Sequence, residues 1–181
     1  MCIRDRYKTY CILYGPDAGG VDGAHHVDGT GGLSQPGMMT ALPNGNLLLP
    51  QAGSPSGGFG GQVTEFDHSS FPTSEDQCPD GVYPRKQLKT SVFVRGSLKF
   101  LPVPMGVAFD PSCGCYAVDS IFGDSTSRAV IVWFTPEGKR VNRPVVTGEV
   151  LSQFGHEADG FNPFGMGFAP DGTLYLSLIH I

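Results

Sequence analysis

Apolar residues in this chain come in short runs closed by Pro and Gly, and one such arrangement occurs three times. The copies read P-G-M-M-T-A-L-P-N-G-N-L-L-L from Pro36, P-M-G-V-A-F-D-P-S-C-G-C-Y-A-V from Pro104, and P-F-G-M-G-F-A-P-D-G-T-L-Y-L from Pro163. Each is Pro, a nearby Gly, an apolar run, a Pro/Gly turn and a second apolar run. That pattern predicts a β-hairpin. A hairpin recurring at long intervals predicts a repeat architecture, and the long period points to propeller blades. No segment shows a convincing 3.6-residue period, and the Pro spacing would interrupt most long helices.

The middle copy predicts one whole blade. Met105–Asp110 and Cys115–Ser120 form its hairpin, Arg128–Phe134 its third strand and Val145–Phe154 its fourth, with Thr135–Gly138 as a turn. In the first copy the strands are Met38–Leu42, Asn46–Leu49, Gln62–Asp67 and Ser91–Arg95, with a polar insertion at Ser69–Lys89. Tyr7–Tyr14 reads as the last strand of a preceding blade. The expected fold is all-β: a partial β-propeller of about three four-stranded antiparallel blades, over 36–100, 104–155 and a truncated 163–175. The copies lie 68 and 59 residues apart, counted from Pro43 to Pro111 and on to Pro170. A compact blade needs roughly 40–50, so the excess falls in loops, where binding is usually built.

The ends read differently from the rest. Met1–Arg6 is M-C-I-R-D-R and Leu176–Ile181 is L-S-L-I-H-I. One codon choice for the first is ATGTGTATAAGAGACAG, whose reverse complement, CTGTCTCTTATACACAT, translates as L-S-L-I-H and opens an Ile codon. Two unrelated termini have no reason to be reverse complements. Residues 1–6 and 176–181 are therefore expected to be adapter-derived, and 7–175 to be an internal propeller fragment.

Charge and composition narrow the class. The formal charge is −5, and about −6 without Arg4, Asp5 and Arg6. That argues against a nucleic-acid-binding face. Gly and Pro number 26 and 15, spread among apolar runs, which fits a turn-rich β domain better than disorder. No apolar stretch approaches the roughly 20 residues of a membrane span. Cys11, Cys78, Cys113 and Cys115 permit two disulfides and a periplasmic or secreted setting, or four free thiols. C-G-C alone is not a zinc knuckle. Trp133 reads as packing between blades.

The middle copy, P-M-G-V-A-F-D-P followed by Y-A-V-D-S and A-V-I-V-W-F-T-P-E-G-K, resembles an NHL-type repeat and the blades of the gluconolactonase/regucalcin-like group. Both are six-bladed β-propellers. The resemblance covers most of 36–175, and its motifs specify a blade better than an activity. In the gluconolactonase-like group a divalent cation, often calcium, sits in the central channel, held in part by the Asp of the Asp-Ser after strand two and by Asn before Gly. Asp119 matches the first position. Met105 and Phe164 occupy the Asn positions and offer no oxygen side chain to a hard cation.

Two loops share H-x-x-D-G. His25 and Asp28 precede the first hairpin, and His156 and Asp159 the third, where Glu157 and Asn162 add a carboxylate and an amide. His with Asp at a channel mouth is the chemistry of a metal ligand or of a base and its orienter. Asp-Gly is also a turn signal by itself. Asp119 has a comparable second reading, because Asp-Ser after a strand fixes backbone through side-chain hydrogen bonds. The Gly-rich run from Gly53 to Gly61 lacks the Lys of a phosphate loop.

These observations lead to a propeller that binds a small molecule or protein at its channel face, with no assigned catalysis. The rival expectation is a divalent-metal lactonase-like hydrolase anchored on Asp119. A third is a quinone-dependent sugar dehydrogenase, since that group also uses six-bladed propellers. Calcium or another divalent cation is the cofactor these readings raise.

Overall fold

Pro and Gly at fixed offsets decide where this chain reverses. The computed structural model describes residues 36–53, 59–78, 83–84, 87–97, 100–120, 130–144, 146–147 and 163–178. At Pro43, Pro136 and Pro170 the same turn recurs. The residue before Pro accepts from the Gly two positions after it, as in Gly45 N–H to Leu42 C=O at 2.9 Å, and also pairs with the residue beyond that Gly. Each of these glycines has a positive φ, 88° at Gly45, 74° at Gly138 and 85° at Gly172. Pro presets the first corner and Gly supplies the left-handed residue, the three-residue hairpin loop with a bulge.

The strands these turns join form three antiparallel sheets, each in chain order. The first holds β1 (Thr40–Ala41), β2 (Leu47–Gly53), β3 (Phe59–Phe66) and β4 (Thr90–Arg95). The second holds β5 (Pro104–Asp110), β6 (Cys115–Ser120), β7 (Val130–Phe134) and β8 (Val146–Thr147). The third is the hairpin of β9 (Pro163–Phe168) and β10 (Leu174–Leu178). Among the described residues there is no α-helix, and no helix is long and apolar enough to cross a membrane. The chain is thus all-β and antiparallel, with sheets of four, four and two strands.

The second sheet is covered on both faces, and every residue of β6 is buried. Successive side chains of a strand point to opposite faces. Tyr116 and Val118, with Val132 and Phe134 of β7, pack on Leu48, Val63 and Phe93 of the first sheet and on Leu101 of the segment before β5. Cys115, Ala117, Ile131 and Trp133 face the other way, toward Met166, Phe168, Leu174 and Leu176 of the third sheet. Trp133 thus packs between sheets, as its sequence position suggests. Each fully buried large apolar side chain contributes roughly 1.5–3 kcal/mol of transfer free energy.

One expectation is extended and one revised. The polar Ser69–Lys89 insertion also packs an apolar cluster against the first sheet. Cys78, Tyr83 and Leu88 are buried with Leu49 and Phe66, covering the outer face of the first sheet. Its base is closed by Asp67 N–H to Lys89 C=O and by Lys89 N–H to Ser70 Oγ. The third hairpin, expected to end at 175, continues in β10 to Leu178. An apolar alternating sequence takes a strand whatever its origin. The expected strands at Tyr7–Tyr14 and beyond Thr147 lie outside the described residues.

Candidate functional site

β5, the first strand of the second sheet, packs against β9, the first strand of the third, and against β2 and β1 of the first sheet. At this junction β5 is irregular. Pro104 pairs with Ser120 and Val107 with Val118, so Met105 and Gly106 together oppose Asp119. Two residues against one is a β-bulge, which frees backbone groups from the ladder. The freed N–H groups turn onto one oxygen. Gly106 N–H donates to Asp119 Oδ1 at 2.7 Å and Met105 N–H at 3.3 Å.

Ser120 extends the clamp. Val103 N–H donates to Ser120 Oγ at 3.1 Å. Pro104 has no N–H, so the Asp-Ser pair accepts every N–H that the stretch from Val103 to Gly106 can offer. On its opposite side the bulge docks the first copy: Met38 N–H donates to Met105 C=O at 2.8 Å, and Met38 bridges Gly106 in parallel. The Gly of the repeated phrase is needed here. A Cβ on Gly106 would lie 2.6 Å from Asp119 Oδ2, and one on Gly37 would run into the Met105 carbonyl.

The second oxygen, Asp119 Oδ2, is buried and has no hydrogen-bond partner among the described residues. Burial pushes the Asp119 carboxyl up to about 7, against the two N–H groups that favour its charged form. Protonated, Oδ2 is a donor; ionised, it is an acceptor for a cation or a ligand donor. Among the described residues Asp119 belongs to no group of three or more carboxylate, His or Cys side chains placed to hold a metal ion. One carboxylate is fewer oxygens than the six to eight that calcium takes. His25, Asp28, His156, Glu157, Asp159 and Asn162 lie outside the described residues.

A second polar cluster, not anticipated from the sequence, sits at the far end of the β5–β6 hairpin. Asp110 is its centre. Its Oδ1 accepts from Ser112 N–H at 2.9 Å and Ser112 Oγ–H at 2.6 Å, closing the turn. Its Oδ2 accepts from Trp133 Nε1–H at 2.9 Å and pairs with Arg143 at 2.8 Å. The Arg143 guanidinium also stacks over the Trp133 ring, 5.4 Å from its centroid. Desolvation pushes the Asp110 carboxyl up, but the Ser112 and Trp133 hydrogen bonds and the Arg143 charge outweigh it, leaving the group below its ordinary value.

One cysteine pairing lies in this turn. Cys113 and Cys115 are joined by a disulfide across Gly114, whose φ is +60°. Cys78 is also disulfide-bonded. The sulfurs of Cys113 and Cys115 and a carboxylate oxygen of Asp110 lie within 4.8 Å of one another. As a disulfide the sulfurs are not thiolates and do not serve as metal ligands. The C-G-C was visible in the sequence. Trp133 and Arg143, 23 and 33 residues from Asp110, carried no local signal.

Comparison of the chain with family models, with characterised proteins and with solved structures finds no match.

Proposed function

We propose that this chain is part of a β-propeller that binds a small polar ligand where β5 packs against the first and third sheets, with Asp119 as the contact from the middle sheet. The observation that carries this reading is the buried Oδ2 of Asp119, which lacks a partner among the described residues while Oδ1 is doubly satisfied. An unpaired buried polar atom costs about 1–3 kcal/mol. A donor or cation brought by a ligand offsets that cost. Three sheets in chain order, stacked face to face with β5 against strands of both its neighbours, support the propeller reading.

The second reading is a divalent-metal lactonase-like hydrolase. The same oxygen favours it, since an ionised Oδ2 is a hard-cation donor. The remaining oxygens must come from elsewhere, so no catalytic step is assigned.

Thermal unfolding separates the readings. The full-length protein and its Asp119→Asn variant are compared across calcium chloride, sugar lactones and polyols. A compound that raises the Tm of the wild type but not of the variant, without turnover, supports the binding reading. Calcium-dependent lactone hydrolysis lost in the variant replaces it with the second. Equal responses of both proteins to every compound overturn the assignment of Asp119.

A further inference from the structure

The disulfide at the β5–β6 turn has two unlike sulfurs. Cys113 stands exposed on the turn, while Cys115 opens β6 and is 2 % exposed. The Arg143 guanidinium lies against the exposed one, donating to Cys113 Sγ at 3.1 Å. That guanidinium is held in place by its ion pair with Asp110 and by stacking on Trp133.

The bridge is not what shapes the turn. Ser112 already closes it through two hydrogen bonds to Asp110, and Gly114 takes the left-handed residue. A bridge across a single residue also closes so short a loop that it constrains the unfolded chain little. An exposed sulfur beside a fixed cation, with a buried sulfur one residue away, is instead the arrangement that thiol–disulfide exchange needs.

We propose that Cys113 and Cys115 are a redox-active pair that exchanges with small-molecule thiols of the glutathione class. The external thiolate attacks Cys113 Sγ, the accessible sulfur. A bond forms between the two, the Cys113–Cys115 bond breaks, and its electron pair leaves on Cys115 Sγ, which takes a proton from solvent. A second external thiolate attacks the external sulfur of the mixed disulfide, and Cys113 leaves as a thiolate. Two thiols become one disulfide, and the protein disulfide takes up two electrons. In the reverse direction the Cys113 thiolate attacks an external disulfide and Cys115 resolves the adduct.

Arg143 favours the Cys113 thiolate by its charge, both as leaving group and as nucleophile. The Asp110 carboxylate works against this, and the same guanidinium neutralises it. Asp110 therefore positions Arg143, and Arg143 acts on the sulfur. This site lies at the opposite end of the hairpin from Asp119 and is independent of the ligand-binding reading.

The test uses the full chain in its oxidised form, incubated with excess reduced glutathione near pH 7. Maleimide trapping and peptide mass mapping then assign each cysteine. Expected are free thiols at Cys113 and Cys115 in the wild type and, when oxidised glutathione replaces the reduced form, one glutathione on Cys113 in Cys115→Ser with one glutathione released as thiol. Once reduced, Cys113 reacts with iodoacetamide about threefold faster than in Arg143→Gln, the net of a roughly tenfold larger thiolate fraction for one pK unit and a less nucleophilic thiolate. Arg143→Lys, which keeps the charge, recovers most of that rate. Trp133 fluorescence confirms that each variant is folded. A bridge that resists glutathione in the folded chain but yields in urea holds the turn only and overturns the proposal. So does an iodoacetamide rate unchanged by Arg143→Gln.

Discussion

Replacing Asp110 by alanine removes the acceptor on which the outer half of the second sheet depends. The Trp133 Nε1–H loses its 2.9 Å partner inside a buried environment. A buried donor left unmet costs about 1–3 kcal/mol. The turn also loses both Ser112 hydrogen bonds, together about 1 kcal/mol. Arg143 is 37 % exposed, so the lost ion pair adds no more than about 1 kcal/mol. The expected loss is about 3 kcal/mol. Asparagine offers one acceptor oxygen where aspartate serves two groups of donors, so Asp110→Asn should lose about 2 kcal/mol. Trp133 is the single tryptophan of the chain. Urea unfolding followed by its emission therefore reads the stability and the local environment together. If Asp110→Ala unfolds within about 0.5 kcal/mol of wild type, a surface-like effect, the network is not what holds this end of the sheet.

Four further outcomes follow from the same geometry. Gly106→Ala puts a Cβ 2.6 Å from Asp119 Oδ2 and should cost about 2–3 kcal/mol in urea unfolding. Adding Asp119→Ala should recover part of that loss, and strict additivity in the double-mutant cycle would contradict the clash. Asp119 has a folded pKa raised to about 7, so its proton is held in the native state while the unfolded chain ionises near 4. Wild-type stability should therefore fall from about pH 4 to pH 7 and then level off, and Asp119→Asn should lack that slope, worth up to about 4 kcal/mol. Matching pH profiles for the two proteins would count against the buried carboxyl. Replacing both Cys113 and Cys115 by serine should cost no more than about 2 kcal/mol, the loop-closure value for so short a span, and a larger loss on calorimetry would make the bridge a structural staple.

The hairpins were legible in the sequence because their information is local. Pro43, Pro136 and Pro170 with the glycines that follow them write both the turn and its hand, and the strands on either side were placed within a few residues. How the insertion after Phe66 packs is not legible, because Cys78, Tyr83 and Leu88 are spaced with no period and nothing in their order signals a shared core. The Asp119 site was half legible. The resemblance picked out the residue, and the alternative that Asp-Ser fixes backbone through its side chains was also weighed. The structure places that clamp on the bulge of the preceding strand, opposite Asp119, where register alone decides the partners. Arg143 meets Asp110 and Cys113 only because β7 and the turn after it return the chain to the far end of the β5–β6 hairpin. Such a meeting is a property of topology rather than of any motif.

The measurement closest to the central claim is a carbon-13 NMR titration of the Asp119 side-chain carboxyl, assigned by its loss in Asp119→Asn. The expected midpoint is near 7 in the free protein, with a downward shift when a ligand or cation engages Oδ2. A midpoint near the ordinary value of about 4, unmoved by any added ligand, would contradict it.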